Sequence, residues 1–404
     1  MRIAIVATEY VTEPNSYDGG MAVHWHKIAK GLKQLGHEPI VVVLSKTNEV
    51  FQHSGIEVHR VHPQPGLLFK FAFKLLGKYF GVALTHLLRS WTYRKKILEL
   101  HKIKRIDVQH YSSQVGSSLF HARKIPFVLI ASGSTRLIRE ADETFSNTVR
   151  ERQVEFLQHL CYKAAKHIYA PSFLLANYLT KIYNKPVKVI ETPFWFNSEE
   201  QFKTDLLEKV LEFTKGNPYL LFYGRMGAFK GVTDIVAALP NVFKQYPDIK
   251  FVFVGKDKGY KGQPMAKYIF EKLHGYEGRF FIHPNVEHSM LMPVIDAAFA
   301  VILPSRSENL SNAAIETMAR GKILIGTRGA SFDQLINHGE NGYLCEIKNP
   351  VSIERAVDNL MKLSAEEKLS MQNAAKKTVE RLKPEIVVKQ LADFYLEAIA
   401  ATNR

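Results

Sequence analysis

Glu308 and Glu316, with seven residues between them, follow the apolar run Phe299-Ala300-Val301-Ile302-Leu303 in the stretch Pro304-Ser305-Arg306-Ser307-Glu308-Asn309-Leu310-Ser311-Asn312-Ala313-Ala314-Ile315-Glu316. A short continuous apolar run is the pattern of a buried parallel strand, and the Ala-Ala-Ile-Glu-Thr-Met-Ala-Arg that leads to Gly321 is that of a helix with its stop signal. Both acids are therefore expected at the carboxyl edge of a sheet. Open α/β sheets bind ligands in that crevice, and the N–H groups of an opening helix suit the phosphates of a nucleotide. A second segment offers the complementary charge: Gly224-Arg225-Met226-Gly227-Ala228-Phe229-Lys230-Gly231 follows the strand-like run Tyr219–Tyr223. An arginine fork and a lysine point charge in a glycine-bounded loop at a strand's end can neutralise a diphosphate leaving group without a metal. The bland alternatives are a solvated basic loop, a loop carboxylate at 308 and a solvated helix residue at 316.

Gly19-Gly20, between the first strand and the first helix, is a further candidate, because paired glycines let backbone approach a ligand closely. A flexible turn is its bland reading. The G-x-G-x-x-G fingerprint does not occur, which counts against a nicotinamide enzyme. Neither does an Asp-x-Asp pair or a metal-like histidine spacing, so no metal site is expected. Lone histidines such as His24 and His26 read as satisfied or surface residues, and His110, at the end of an expected strand, is kept as a site candidate. Cys161 and Cys345 are far apart, and a reducing compartment is expected.

The elements that would position these residues fall into two series. Strand-like runs at 2–7, 39–44, 56–61, 106–110, 126–131, 167–170 and 187–190 alternate with helical patterns at 21–35, 67–100, 113–123, 145–166 and 172–183. A polar stretch, 197–215, separates them from strands at 219–223, 250–254, 279–282, 299–303 and 323–326 with helices at 232–246, 264–274, 289–297, 312–320 and 351–363. Helical patterns at 365–381 and 385–401 close the chain. For 404 residues, two doubly wound α/β domains are expected: 1–193 and 194–384, with the last helix crossing back to the first domain.

Hydrophobic residues at 46% and charged residues at 23% are ordinary for a folded, water-facing protein. The net charge of +15 is uneven: residues 1–192 hold 27 Lys+Arg against 14 Asp+Glu, and residues 193–404 hold 27 against 25. The front half is expected to meet something anionic, nucleic acid or an acidic bilayer. Within it, Leu67–Phe80 sets Lys70, Lys74 and Lys78 one turn apart among aromatics and leucines. That pattern suits an interfacial helix, or a core helix with a solvated lysine stripe, better than a membrane span. The apolar run at the amino terminus is too short for a signal peptide and reads as the first strand.

Taken together, the diglycine at 19–20, Pro171-Ser172 ahead of a helix containing Leu179, Gly224-Arg225 with Lys230-Gly231, the Glu308-to-Glu316 spacing and Asn341-Gly342-Tyr343-Leu344 bring a family into view. Over nearly its whole length the chain resembles the retaining, nucleotide-sugar-dependent glycosyltransferases of family 4. The resemblance implies the GT-B architecture, two facing Rossmann-like domains with a cleft between them. It implies that Arg225 and Lys230 grip the donor's diphosphate, that Glu316 bonds the ribose hydroxyls and that Glu308 stands beside the transferred sugar. Backbone amides of Asn309, Leu310 and Ser311 would hold sugar and phosphate oxygens, with Gly19 and Gly20 meeting the donor from the other domain. Many relatives carry a histidine near the donor sugar at the end of the strand at 126–131; here the sequence is Ile130-Ala131-Ser132-Gly133-Ser134. Ser132 and Gly133 join His110 as candidates for the vicinity of acceptor or sugar, although uncharged Ser132 cannot act as that histidine does. The commonest form's Phe-Gly is also missing from Glu308-Asn309-Leu310-Ser311.

The function expected is transfer of a sugar from a nucleotide diphosphate sugar to a lipid-linked or polysaccharide acceptor in cell-envelope glycan synthesis. The expected setting is cytoplasmic and peripheral on an anionic membrane surface. No cofactor beyond the donor substrate, no metal and no nucleic-acid partner are expected, the last because no nucleic-acid motif occurs. A nucleotide-sugar epimerase or phosphorylase of the same fold, and a non-catalytic module binding anionic lipid, are the alternatives.

Overall fold

The computed structural model of the chain describes residues 1–13, 20–141, 148–195 and 201–402. Two units result: one from Met1–Arg139, Ser146–Trp195 and Leu382–Arg404, the other from Glu140–Phe145 and Phe196–Arg381.

In the first unit the strands are β1 (Arg2–Ala7), β2 (Glu38–Leu44), β3 (Glu49–His53), β4 (Ile56–Val61), β5 (Val108–Ser112), β6 (Phe127–Ile130), β7 (His167–Ala170) and β8 (Val187–Val189). They form one sheet in the order β3-β4-β2-β1-β5-β6-β7-β8, parallel except for the β3–β4 hairpin. Its helices are α1 (Gly20–Gln34), α2 (Leu67–Ile103), α3 (Thr135–Ala141), α4 (Val149–Ala164) and α5 (Phe173–Tyr183). β1 is buried along its whole length, and its alternating residues feed two cores. Ile3 and Ile5 pack with Trp25 of α1 on one face, while Ala4 and Val6 pack with Tyr93 and Ile97 of α2 and Cys161 of α4 on the other. Burial on both faces is why the strand reads as an unbroken apolar run.

The structure departs from the sequence pattern at several places. β3 was not expected, since it is a mostly exposed edge strand without apolar alternation; Ser54 and Gly55, both at positive φ, close its two-residue hairpin turn. The helix expected at 113–123 is only a tight turn at Gln114–Gly116. Serine side chains take its backbone groups instead: the Gln114 N–H donates to Ser112 Oγ at 3.0 Å and Ser117 Oγ donates to the Ser112 carbonyl at 2.6 Å.

The second unit contains α6 (Asp205–Thr214), β9 (Tyr219–Tyr223), α7 (Val232–Gln245), β10 (Lys250–Val254), α8 (Met265–Lys272), β11 (Phe280–His283), α9 (His288–Ala297), β12 (Ala300–Leu303), α10 (Asn312–Ala319), β13 (Ile323–Thr327), β14 (Tyr343–Cys345), α11 (Pro350–Lys362) and α12 (Ala365–Val379). All six strands are parallel, in the order β11-β10-β9-β12-β13-β14. α6 arises inside the stretch read as polar, because Leu206, Val210 and Thr214 recur every fourth residue and bury one edge. The chain ends in α13 (Pro384–Thr402), whose Val387, Val388, Leu391, Phe394, Tyr395 and Ala398 lie in the core of the first unit on the α1 face of its sheet. Burying side chains of this kind contributes about 1.5–3 kcal/mol for each large one.

Candidate active site

The order of the second sheet reverses between β9 and β12, which are neighbours through Ala300–Leu220 and Val301–Leu221. From β9 the chain steps outward to β10 and β11 on one side; from β12 it steps to β13 and β14 on the other. Loops leaving two such strands part at their carboxyl ends and leave a crevice, the switch point where open α/β sheets take ligands. The basic loop 224–231 leaves β9, and the loop 304–311 with the first glutamate leaves β12.

Backbone contacts fix the two loops. Met226 N–H donates to the Lys256 carbonyl at 2.8 Å, and Lys258 N–H donates back to the Met226 carbonyl at 2.9 Å, so the basic loop runs beside the one after β10. Arg306 N–H donates to the Phe229 carbonyl at 2.9 Å, tying it to the loop after β12. Gly231, at φ +74°, caps α7 so close to Pro304 that a Cβ there would strike the Pro304 carbonyl. Only glycine meets both conditions without strain.

Lys230 and Glu308 meet directly: the ammonium donates to the carboxylate, with the side chains only 19% and 15% exposed. The same carboxylate oxygen accepts from Ser305 Oγ at 2.8 Å, and the Glu308 carbonyl accepts from Ser331 Oγ at 2.9 Å. Thr327 Oγ1 donates to the Ser305 carbonyl at 2.5 Å, so hydroxyls from the end of β13 hold the loop from the side. Beneath it, Arg306 is buried with a guanidinium nitrogen 3.6 Å from Asp234 Oδ1 and 3.3 Å from Thr233 Oγ1. Burial raises the Asp234 carboxyl above its ordinary range, and the Arg306 charge only partly offsets it.

Glu316 sits in the second turn of α10, its carboxylate 3.4 Å from His288 Nε2 at the start of α9. Tyr223, the last residue of β9, anchors this helix: its hydroxyl donates to the Ala313 carbonyl at 2.6 Å and lies 3.0 Å from Thr317 Oγ1. Burial first, and the nearby Glu316 charge second, push the Tyr223 phenol well above its ordinary pKa, so it remains a donor. Ser311 caps α10, its hydroxyl accepting from the Ala314 N–H at 3.3 Å. Leu310 is buried, Asn309 half-buried and Arg225 exposed. Lys230 and Glu308 thus touch, while Arg225 shares the loop of Lys230 and Glu316 shares the α10 segment with Ser311.

The candidates of the first unit are placed differently. Gly19 lies outside the described residues; Gly20 is the exposed first residue of α1. Burial raises the Glu9 carboxyl above its ordinary range, and the backbone N–H of Ala22 at that helix end only partly offsets it. Ser132 and Gly133 are half-buried after β6; the Ser132 hydroxyl is 3.0 Å from that of Ser112, and the Gly133 carbonyl accepts from Gln158 and Tyr162. His110 is a correction: it lies in mid-strand, fully buried, with Tyr169 and Tyr395 hydroxyls 3.0 and 2.7 Å from its two nitrogens and Trp25 edge-on. It holds α13 to the sheet and is closed to any acceptor.

Sequence reasoning missed Tyr223, Ser305 and Ser331. A tyrosine ending a buried strand needs a partner for its hydroxyl, which was a usable signal. Ser331, 23 residues beyond the glutamate it supports, gave none.

Residues 203–378 match the family described as Glycosyl transferases group 1, and residues 19–195 match the Glycosyl transferase 4-like domain. The chain is a glycosyltransferase of the family 4 type. An uncharacterized glycosyltransferase of Methanocaldococcus jannaschii is 23% identical over 100% of both chains. Glycogen synthase of Mycobacterium tuberculosis is 22% identical over 89% of this chain and 86% of its own. Among solved structures, sucrose-phosphate synthase from Thermosynechococcus elongatus superposes with a TM-score of 0.75 at 16% identity, covering 99% of each chain. The Anabaena protein HepE in complex with UDP-glucose gives 0.70 at 16% identity, covering 98% of this glycosyltransferase and all of HepE. These likenesses show the fold, two α/β units with largely parallel sheets in the GT-B class.

Proposed function

We propose that this glycosyltransferase moves a sugar, with retention of configuration, from a nucleotide diphosphate sugar to a lipid-linked or polysaccharide acceptor in cell-envelope glycan synthesis. The transfer takes place at an anionic membrane surface on the cytoplasmic side. The observation that carries the reading is the Lys230–Glu308 contact at the switch point of the second sheet, which joins the basic loop to the acidic one. The complexes of related folds with UDP-glucose and UDP-2-fluoro glucose lend support on the donor side.

Arg225 and Lys230 neutralise the donor's diphosphate, so that no metal ion is needed for its departure. Glu316 takes the ribose hydroxyls, and the N–H groups at 309–311 take sugar and phosphate oxygens. Glu308 stands beside the sugar. The bond from the anomeric carbon to the phosphate oxygen breaks, the acceptor oxygen bonds to that carbon on the same face, and the acceptor's hydroxyl proton passes to the departing phosphate. Separate Glu308→Gln and Arg225→Ala proteins test this by release of nucleoside diphosphate. Loss of turnover with unchanged folding is expected in both, and full turnover in either removes the assignment. Epimer formation from donor alone would replace transfer by epimerisation.

A further inference from the structure

α2 changes character at Phe80, whose φ of −119° and ψ of 16° break the helical run. After it the helix is a core element, with Leu84, Leu88, Tyr93, Ile97 and Leu100 buried. Before it, from Leu67 to Phe80, not one residue is buried. Leu67, Phe71, Leu75 and Tyr79 are 85, 67, 66 and 66% exposed, and they recur every fourth residue as one row. Lys70, Lys74 and Lys78, all exposed, form the adjoining row, because residues three apart are neighbours on a helix. No acidic residue occurs from Val58 to Leu98. So large a run of exposed aromatic and aliphatic surface marks an interaction site.

The joint is built. At the break, the bond that Ala83 N–H would make to the Tyr79 carbonyl is replaced by the side-chain amide of Gln153 from α4. Its Oε1 accepts from Ala83 N–H at 3.0 Å, and its Nε2 donates to the Tyr79 carbonyl at 2.5 Å. An amide inserted into the ladder satisfies both groups and sets the arm's departure from the core half.

We propose that Leu67–Phe80 is a docking arm for an anionic lipid bilayer. The leucine and aromatic row enters the headgroup–acyl boundary while the lysine row lies along lipid phosphates. Charge decides the occupant: a second copy would set one lysine row against another, whereas an anionic bilayer satisfies both rows. No helix among the described residues is long and apolar enough to cross a membrane, so the arm lies on the surface. The inference deepens the membrane part of the function proposed above and stands apart from the chemistry of the second unit.

The test is co-sedimentation of the full chain with phosphatidylcholine vesicles, with and without phosphatidylglycerol. Wild type pellets with the anionic vesicles and is released by salt. The triple variant Lys70→Ser, Lys74→Ser, Lys78→Ser partitions on the order of a hundredfold less, since each basic residue at an anionic surface contributes roughly a factor of five. Phe71→Asp with Leu75→Asp abolishes binding even at low salt; circular dichroism of both variants is that of wild type. Failure of wild type to bind, unchanged binding of both variants, or a wild-type dimer dissolved by Phe71→Asp with Leu75→Asp overturns the arm. Nucleoside diphosphate release is measured on the same proteins. Turnover without vesicle binding overturns the arm alone, and arm-dependent binding without turnover overturns the transfer reading alone.

Discussion

Neutralising Glu308 is expected to separate donor binding from transfer in opposite directions. Lys230 is held by Glu308, so under the proposed function a donor diphosphate competes with that carboxylate for the ammonium. Exposed pairs contribute about 0–1 kcal/mol, and breaking fully buried ones costs about 3–5 kcal/mol. With side chains 19% and 15% exposed, this pair falls between, at about 1.5 kcal/mol, or roughly a factor of ten in an equilibrium constant. Glu308→Gln keeps the side chain's shape and an acceptor for Ser305 while releasing Lys230. Nucleoside diphosphate should then bind about ten times tighter, while transfer falls by at least about a hundredfold because the charge proposed to stand beside the sugar is gone. Lys230→Met should weaken binding by roughly tenfold or more, and the double variant should match Lys230→Met. Isothermal titration with uridine, guanosine and adenosine diphosphates, followed by turnover with the matching sugar donor, reads all three proteins. Weaker binding of every diphosphate to Glu308→Gln would refute the competition between carboxylate and phosphate.

Gly231→Ala should cost about 2–4 kcal/mol, because its Cβ would strike the Pro304 carbonyl at a positive φ; a melting temperature within a degree of wild type would contradict the close loop packing. Tyr223→Phe loses the bond to the Ala313 carbonyl and should cost about 1–2 kcal/mol. It should raise the donor KM more than it lowers kcat, and the reverse split would place Tyr223 in the chemistry instead. His24 is pushed down to about 3 by burial, with Lys27 adding to it. The unfolded chain therefore takes up a proton from about pH 6.5 downward while the folded one does not, and stability present above that pH is lost as it falls towards 3. His24→Leu should remove about 2 kcal/mol of the stability difference between pH 7 and pH 5, read as a flatter dependence of denaturation midpoint on pH.

The strands with continuous apolar runs were legible because both faces of each sheet are covered, so that β1, β9, β10 and β12 needed no context to be found. β3 and α6 were not, since one is an exposed edge strand and the other buries a single row of residues in a polar stretch. Residue types and spacing likewise marked Arg225, Lys230 and Glu308 as charges in loops after strands, and Glu316 as a charge on the helix that follows β12. Spacing alone left His110 a candidate, and two tyrosine hydroxyls from elements 59 and 285 residues away made it part of the core.

Local sequence thus determined which segments become strands and helices, because burial periodicity and turn residues act over a few positions. It did not set the order of the strands. Tertiary structure alone put β12 beside β9, brought Lys230 onto Glu308 from 78 residues away and hung Ser331 behind them. It also decided that Leu67–Phe80 faces solvent while the rest of the same helix is core. Pairing of distant segments is fixed by which apolar faces can be covered at once, and that is a property of the whole chain.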